Sequence, residues 1–280
     1  MNAIEIRGLC KNYKDFSIDN LNLSLPSGCV LGLVGENGAG KSTTIKLILK
    51  MIRKDSGSIS ILGKDSEKEI QLVKEDIGVV FDELYFPADL NPIQIGKILK
   101  CMYKNWDNEK YITLLEKFSL PVKKPVKKYS KGMKMKLGIT AAMSHNAKLL
   151  ILDEATSGLD PVVRDDIIDM LTDFTREEDH SILISSHIVS DLEKLCDYIA
   201  FLHKGKLVLC EEKDKLYEQY GLIHCTEKEL EEIESSAIIG KKTGSYGAEA
   251  IVIKSKVPSG IQVYPLDIEK LFIFMVKERG

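Results

Sequence analysis

Gly35-Glu36-Asn37-Gly38-Ala39-Gly40-Lys41-Ser42 fits the pattern GxxxxGK(S/T), which binds nucleotide phosphates when it lies between a strand and a helix. The preceding run CVLGLVG is apolar, as a buried strand is. In the following KSTTIKLILKMI, Ile45, Ile48 and Ile52 recur at helical spacing. A strand, a glycine-rich turn and a helix are therefore predicted in the order that the motif requires.

This segment, residues 35–42, is called the P-loop below, and it predicts a nucleoside triphosphate site. Its glycines allow backbone N–H groups to turn toward phosphate oxygens, and the helix that begins near Lys41 adds a partial positive charge. Lys41 is expected to reach the β- and γ-phosphates, and Ser42 to ligate Mg²⁺. The alternative is a tight glycine turn with an exposed lysine. The residues expected to contact the nucleotide here are Gly35, Asn37, Gly38, Gly40, Lys41, Ser42 and Thr43.

The segment LLILDE supplies two carboxylates at the end of a second apolar run. Asp153 follows four apolar residues of a predicted buried strand, where a carboxylate can hold Mg²⁺ directly or through water. Glu154 can polarise the attacking water as a general base. The alternative is an acidic pair that caps a helix. A GTPase would be expected to read guanine with an NKxD-type segment, and the sequence contains none, so ATP is the predicted nucleotide.

Composition excludes several other classes of protein. The 280 residues contain 39 Lys and Arg against 42 Asp and Glu, a net charge of −3, so no overall basic field favours nucleic acid or an anionic bilayer. No apolar run approaches the ~20 residues that span a membrane, and the start MNAIEIRG does not resemble a secretion signal. The six cysteines occur singly, which argues against a zinc cage or a disulfide framework. We expect a soluble chain that is not secreted.

The order of patterns along the chain predicts an α/β fold. The first 25 residues are extended and indicate an antiparallel β edge, and LLILDE, SILISSH and YIAFLHKG alternate with helical patterns, as in a mostly parallel sheet. A lysine-rich helical stretch, residues 92–144, is inserted between core strands. We assign residues 1–220 to the main domain, with a helical subdomain over about 83–144. Residues 221–280 are assigned to a small α+β unit.

Further segments resemble the ATP-binding subunits of ABC transporters, in the family's order, over roughly residues 1–215. Tyr129-Ser130-Lys131-Gly132-Met133 aligns with the LSGGQ signature, Ser157-Gly158-Leu159-Asp160 matches the D-loop, and His187 matches the switch histidine. The resemblance implies the P-loop NTPase fold of ABC ATPases, and it implies that Asp160 lies near nucleotide. Glu154, His187 and Lys41 are then the predicted catalytic residues. The alternative for His187 is a satisfied structural histidine.

The signature also has a physical interpretation. Ser130 is a plausible N-cap for the helix KGMKMKLGITAAM, so its hydroxyl, the Gly132 N–H and the helix N-terminus would clasp a γ-phosphate. In the family this phosphate belongs to the nucleotide of a second ATPase subunit, so two chains, identical or different, sandwich two ATP molecules. This copy departs from LSGGQ at Tyr129, Lys131 and Met133. The alternative for YSKGM is an ordinary capped helix start.

The roles predicted for Tyr13 and Asp82 depend more strongly on the resemblance. Tyr13 resembles the A-loop aromatic that stacks on adenine, and the alternative is an amphipathic surface tyrosine. In IGVVFDELYF the position of the family's Q-loop glutamine is Asp82. We hypothesise that Asp82 binds or senses Mg²⁺ and links it to the helical subdomain, against a solvent-facing loop acid.

The basic cluster comprises seven lysines near the signature, for which a solvated face is the favoured interpretation. Alternatives are a role at the dimer seam or contact with an acidic loop of a membrane subunit. Nucleic acid is not an expected partner, because no aromatic residues are interleaved with the lysines. The lysines are Lys123, Lys124, Lys127, Lys128, Lys131, Lys134 and Lys136.

The predicted function is an ATPase that powers a separate integral membrane permease, whose coupling segment docks near residues 82–105. YSKGM and the C-terminal unit favour an exporter, with this chain on the cytoplasmic face of the membrane. The alternatives are an ABC ATPase that acts on ribosomes or DNA, and a regulatory nucleotide-binding module with little turnover. Residues 221–280 contain no catalytic pattern, and DIEKLFIFMVKERG predicts an amphipathic closing helix.

Overall fold

Within the described residues, the strands form three sheets. The computed structural model describes residues 1–83, 86–244 and 247–277. The strands are β1 (Asn2–Asn12), β2 (Ser17–Pro26), β3 (Val30–Val34), β4 (Ser56–Ile61), β5 (Lys64–Asp65), β6 (Ile77–Val80), β7 (Leu149–Asp153), β8 (Ser181–Ser186), β9 (Tyr198–His203), β10 (Lys206–Glu212), β11 (Tyr220–Cys225), β12 (Ile238–Gly244), β13 (Gly247–Ile253) and β14 (Val263–Tyr264).

Helices connect these strands. Parts of three segments lie outside the described residues: Leu84 and Tyr85 in IGVVFDELYF, Ser245 and Tyr246 in the C-terminal unit, and residues 278–280 at the end of DIEKLFIFMVKERG. The α-helices are α1 (Lys41–Ile48), α2 (Ile70–Val73), α3 (Pro92–Met102), α4 (Asn108–Lys117), α5 (Lys131–Met143), α6 (Pro161–Phe174), α7 (Val189–Leu195), α8 (Lys213–Gln219), α9 (Glu227–Glu231) and α10 (Ile268–Lys277).

The first sheet is antiparallel and has the strand order β2-β1-β4-β5. β1 and β2 pair with Ile4 opposite Leu25 and Ile6 opposite Leu23, and all four side chains are buried. Alternate residues of a strand share a face, so the two-residue period of the sequence gives one apolar face to this sheet. The predicted antiparallel edge is confirmed.

The second sheet positions the P-loop. Its order is β10-β9-β3-β8-β7-β6, and β9, β3, β8, β7 and β6 pair in parallel. Because parallel strands end at the same edge, the segments that follow β3, β8 and β7 leave the sheet side by side. These segments begin with the P-loop, His187 and Glu154, respectively. The predicted mostly parallel sheet is confirmed.

The lysine-rich insert is helical, as predicted, and consists mainly of α3, α4 and α5. It has its own hydrophobic cluster, in which Tyr111, Leu115 and Leu137 are fully buried. The Tyr111 hydroxyl donates to the carbonyl of Pro92 over 2.9 Å. This hydrogen bond joins α4 to the start of α3, so the helices of the insert pack as one unit.

The C-terminal unit contains the third sheet, antiparallel in the order β12-β13-β11-β14, together with α9 and α10. Leu271 and Phe274 of α10 belong to the same buried cluster as Leu192 of α7 and Phe201 of β9. The ring centroids of Phe201 and Phe272 are 5.2 Å apart. The predicted α+β character and closing helix are confirmed. A boundary at residues 220/221 remains our proposal, since the hydrophobic core continues across it.

Candidate functional site

The P-loop leaves β3 and ends in the first turn of α1. Gly38 and Gly40 have φ angles of +82° and +110°, a left-handed backbone that glycine adopts at little cost. A Cβ on Gly40 would lie 2.7 Å from Cδ1 of Ile18 and 2.8 Å from Cζ of Phe16, too close for any larger residue. The glycines predicted for the phosphate cradle therefore stand where the backbone requires glycine.

Lys41 is buried, with 5% of its surface exposed. Its Nζ donates to the carbonyls of Gly35 and Glu36 over 2.6 and 3.3 Å, and it lies 3.1 Å from Oε1 of Glu154. A buried ammonium needs such oxygen partners, because burial of an unpaired charge is costly. The contact brings Lys41 and Glu154, two residues from separate motifs, together beside the P-loop.

Asp153 and Glu154 are connected through Ser185, a residue that the sequence motifs do not identify. The Ser185 hydroxyl donates to Oδ1 of Asp153 over 2.7 Å and accepts from the N–H of Glu154 over 3.1 Å. The parallel register of β7 and β8 places Asp153 beside Ser185. All three residues lie at the sheet edge where the P-loop begins, and Ser185 fixes the orientation of both acidic residues.

Glu154 lies between Lys41 and His187. Its Oε2 is 2.7 Å from Nδ1 of His187, while Oε1 faces Lys41. For an ionised Glu154 this hydrogen bond requires the proton on Nδ1 and leaves Nε2 of His187 to another partner. The backbone of Glu154 has a φ angle of +54°, a left-handed conformation that is unfavourable for a residue with a side chain. Such local strain is concentrated at functional sites.

A cavity of about 470 Å³ lies in front of the P-loop. The β1–β2 turn contributes Asp15 and Phe16 to its wall. Tyr13, the predicted adenine-stacking residue, is 47% exposed, and its ring centroid lies 6.5 Å from that of Phe16. Phe16 therefore borders the cavity directly, which the sequence analysis did not anticipate. The other lining residues are Glu36, Asn37, Gly38, Gly40, Lys41, Ser42, Thr43 and Glu154.

The signature segment begins α5, and its predicted N-cap is confirmed. The Ser130 hydroxyl accepts from the N–H of Met133 over 3.2 Å. A Cβ on Gly132 would lie 2.5 Å from Cγ1 of Val163, so glycine permits α5 to pack closely on α6. Burial raises the pKa of Tyr129 to about 12, and its phenol donates to the carbonyl of Pro121 over 2.9 Å.

The signature lies apart from the P-loop cavity of the same chain: among the described residues that line this cavity, neither Ser130 nor Gly132 occurs. The D-loop residue Asp160 caps α6, since its Oδ1 accepts from the N–H of Val163 over 3.1 Å. The nucleotide contacts that the resemblance implies for Ser130, Gly132 and Asp160 therefore remain predictions that require a second chain.

Asp82 contacts the signature helix. Its Oδ1 lies 2.6 Å from Nζ of Lys131, the first residue of α5. Two other lysines of the basic cluster also pair with carboxylates: Lys127 with Asp89 and Lys136 with Asp166, each at 2.6 Å. The metal role of Asp82 stays a prediction, and the cluster is more nearly neutral than the sequence alone indicates.

The sequence model described as "ABC transporter" matches residues 18–157, half of this chain. The chain belongs to the ABC transporter family. Lantibiotic transport ATP-binding protein SrtF of Streptococcus pyogenes is 37% identical over 215 residues, which cover 75% of this chain and 91% of that protein. Bacitracin transport ATP-binding protein BcrA of Bacillus licheniformis is 38% identical over 212 residues, which cover 73% of this chain and 68% of that protein.

Solved structures of ABC ATPases share the fold. One described as the ATP-binding subunit of an ABC transporter superimposes with a TM-score of 0.69 and 26% identity, over 76% of this chain and 91% of that chain. A second, described as the dimeric post-hydrolysis state of the cassette MJ0796 bound to ADP and Pi, gives a TM-score of 0.67 and 20% identity, over 75% and 98%. The predicted fold is confirmed, and this chain is an ATP-binding, ATP-hydrolysing subunit of an ABC transporter.

Proposed function

We propose that the chain binds MgATP at the P-loop, hydrolyses it with Glu154 in a head-to-tail dimer, and thereby powers a membrane permease that exports its substrate. The observation that carries the proposal is the contact of Glu154 with both Lys41 and His187 beside the P-loop. A carboxylate fixed between a phosphate-binding lysine and a histidine is well positioned to act as the general base on water that attacks a γ-phosphate.

The oxygen-rich donor set suits Mg²⁺, which prefers oxygen ligands and keeps several waters. Ser42 offers a hydroxyl in the first turn of α1, and Asp153 offers a carboxylate whose orientation is fixed by Ser185. We propose these two residues as the ones that hold the ion, with Asp153 acting directly or through water. When bound, Mg²⁺ supplies neutralisation of phosphate charge. For Asp82, a metal role competes with its ion pair to Lys131.

In the proposed dimer, each chain completes the site of the other. Ser130, with the N-terminus of α5, and the buried Gly132 would bind the γ-phosphate at the partner's P-loop. Asp160 would lie at the same seam, and Tyr13 together with Phe16 would bind adenine. His187 would donate from Nε2 to the γ-phosphate, and keeping the Nδ1 hydrogen bond to Glu154 at the same time requires the imidazolium form, in which both ring nitrogens donate.

A groove beside the helical subdomain is the proposed docking site for the permease. Two cavities of about 200 and 480 Å³ share Val79, Phe81 and Tyr103 as lining residues. Met102, at the end of α3, is 67% exposed and also lines the groove. Exposed apolar surface around such a groove is typical of protein–protein contacts. The groove overlaps the segment 82–105 that the sequence analysis proposed for the coupling segment.

The proposed partner that crosses the membrane is a separate permease. In residues 1–83, 86–244 and 247–277, no helix has both the length and the hydropathy of a membrane span. From its family, we propose that the chain is bound to the cytoplasmic face of the membrane through this permease. The direction of transport is proposed from YSKGM and from two relatives that are named for lantibiotic and bacitracin transport.

The substitution Glu154→Gln tests the proposal, since it keeps the size of the side chain and removes the base. Turnover should fall by about 10²- to 10⁴-fold, the usual contribution of general-base catalysis. With MgATP the variant should accumulate as a dimer, measured by size-exclusion chromatography with light scattering. Lys41→Ala is the control and should lose ATP affinity in titration calorimetry. Turnover of Glu154→Gln close to wild type would refute Glu154 as the base, and a monomer at saturating ATP would refute the sandwich.

The docking groove is tested by Met102→Glu, which places a charge on an exposed position. We expect the variant to lose co-purification with the permease from membranes while ATP-driven dimerisation in the Glu154→Gln background is retained. Ile273→Glu, at a partly exposed position on α10, is the matched control and should retain the permease. Equal recovery of the permease with both variants would contradict the docking site.

A further inference from the structure

We propose that Asp82 and Lys131 act as one charge pair, in which Asp82 is a positioning residue that fixes the start of the signature helix α5 relative to the catalytic core. The inference deepens the proposed function and rests on it for its consequence, because α5 is the element that would complete the partner's nucleotide site. In this proposal Asp82 pairs with Lys131 of its own chain and does not bind the metal ion.

The two residues link separate parts of the fold. Asp82 follows β6 of the central sheet after one intervening residue, and Lys131 is the first residue of α5 in the helical subdomain. The distance from Oδ1 to Nζ is 2.6 Å, and the side chains are 48% and 45% exposed. An ion pair with that much exposure contributes little to overall stability. Its principal effect is therefore the placement of the two segments that it joins.

The charges of Asp82 and Lys131 also compensate each other. At these positions the family pattern that the chain resembles has glutamine in the Q-loop and glycine in LSGGQ. Here the first position gains a negative charge and the second gains a positive charge, so the pair is neutral. Each departure from the pattern is compensated by the other, which is the behaviour expected of two residues that function as a unit.

The partial positive charge at the N-terminus of α5 is the reason that Lys131 needs a neighbouring anion. The four residues of the first turn are Lys131, Gly132, Met133 and Lys134, and the N-terminus of a helix carries a partial positive charge. A lysine at the first helical position is therefore electrostatically unfavourable unless an anion lies nearby. The carboxylate of Asp82 supplies that anion from outside the helix.

The D-loop, residues 157–160, also lies against Lys131. A Cβ on Gly158 would lie 3.4 Å from Nζ of Lys131, so the ammonium group packs over this glycine. The adjacent Gly132 packs against Val163 of α6. The start of α5 is thus held by the core through Asp82, and it contacts the D-loop and α6 through its first two residues. Ser130 directly precedes Lys131, so these contacts lie next to the residue that caps α5.

Hydrogen exchange of the chain without nucleotide tests the placement directly. The reporter is the Met133 amide, which donates to the Ser130 hydroxyl in the first turn of α5. Asp82→Asn, which leaves Lys131 without its anion, should speed this exchange by about threefold, within the range of an exposed ion pair, and adding Lys131→Met to Asp82→Asn should remove most of that increase. Lys131→Asp should also speed exchange through repulsion from Asp82, although an acid at this position would otherwise favour the helix. Adding Asp82→Lys to Lys131→Asp should restore the wild-type rate.

A second measurement separates the pair from a metal site. In the Glu154→Gln background, Asp82→Asn should leave the Mg²⁺ concentration for half-maximal dimerisation within about twofold, whereas loss of a metal-site residue would raise it by about tenfold or more. The matched control is the pair of Asp89 and Lys127, also 2.6 Å apart and exposed, for which Asp89→Asn and Lys127→Met should change neither readout.

The outcomes are distinguishable from failure of the proposed function. If Glu154→Gln does not dimerise with MgATP, the sandwich is refuted, and the hydrogen-exchange rates still decide whether the pair positions α5. Unchanged exchange in Asp82→Asn overturns the inference, as does a tenfold rise in the Mg²⁺ requirement of Asp82→Asn. Faster exchange with rescue by the reversed pair supports it.

Discussion

Ser185→Ala removes a single hydroxyl that serves both acidic residues of the site. The side chain of Ser185 is fully buried, and its hydroxyl donates to Asp153 over 2.7 Å and accepts from the N–H of Glu154 over 3.1 Å. A hydrogen bond to a charged group contributes about 1.5–3 kcal/mol, and water has little access to Asp153, which is 7% exposed. The N–H of Glu154 retains the carbonyl of Ser185 at 3.2 Å, so its loss adds little.

We therefore expect the free energy of unfolding to fall by about 2–3 kcal/mol, measured by chemical denaturation. The kcat for ATP should fall by about tenfold, which corresponds to about 1.4 kcal/mol of lost transition-state stabilisation. Ser186→Ala is the matched control, because Ser186 is equally buried and accepts one uncharged hydrogen bond from the N–H of Ile188. Equal losses of stability in the two variants, together with wild-type kcat in Ser185→Ala, would contradict this role of the Ser185 hydroxyl.

Three further predictions concern other parts of the structure. Gly132→Ala should cost about 1–3 kcal/mol in the free energy of unfolding, because its Cβ would lie 2.5 Å from Val163, and Val163→Ala should recover part of that loss; an unaltered denaturation midpoint would contradict the close packing. Phe16→Ala should weaken binding of a fluorescent ATP analogue more than Tyr13→Ala, since Phe16 borders the cavity; the reverse order would favour Tyr13 as the adenine contact. Burial raises the pKa of the Cys210 thiol to about 11 and also raises the pKa of Cys196, so both should stay unmodified by iodoacetamide at pH 8 while the exposed Cys101 reacts, as followed by mass spectrometry; equal labelling would argue against this burial.

Local patterns predicted the elements that depend on neighbouring residues in the chain. The P-loop, the carboxylates at the end of β7 and the Ser130 cap are each determined within a few residues, so they could be predicted from the sequence. The antiparallel edge was predictable because two-residue alternation has one structural meaning when it continues for a whole strand.

Features that depend on pairing between distant segments were not predictable in this way. Ser185 acquires its role from the register of β7 against β8, which no single segment encodes. Asp82 was interpreted through the metal because its partner Lys131 lies in another element of the fold. Phe16 and Tyr13 are close in sequence, and which of the two borders the cavity depends on how the β1–β2 turn packs against Gly40.

The hydrophobic core that α10 shares with α7 connects the C-terminal unit to the segment that follows His187. Residues 189–195 follow His187 almost at once, and the buried Val189, Leu192 and Leu195 of that short helix belong to the same core as Leu271 and Phe274. A fragment that ended near residue 219 would expose part of this core to water and should aggregate during expression. Because α10 and α7 share this core, we expect that a change in the packing of α10 also shifts the backbone that follows His187.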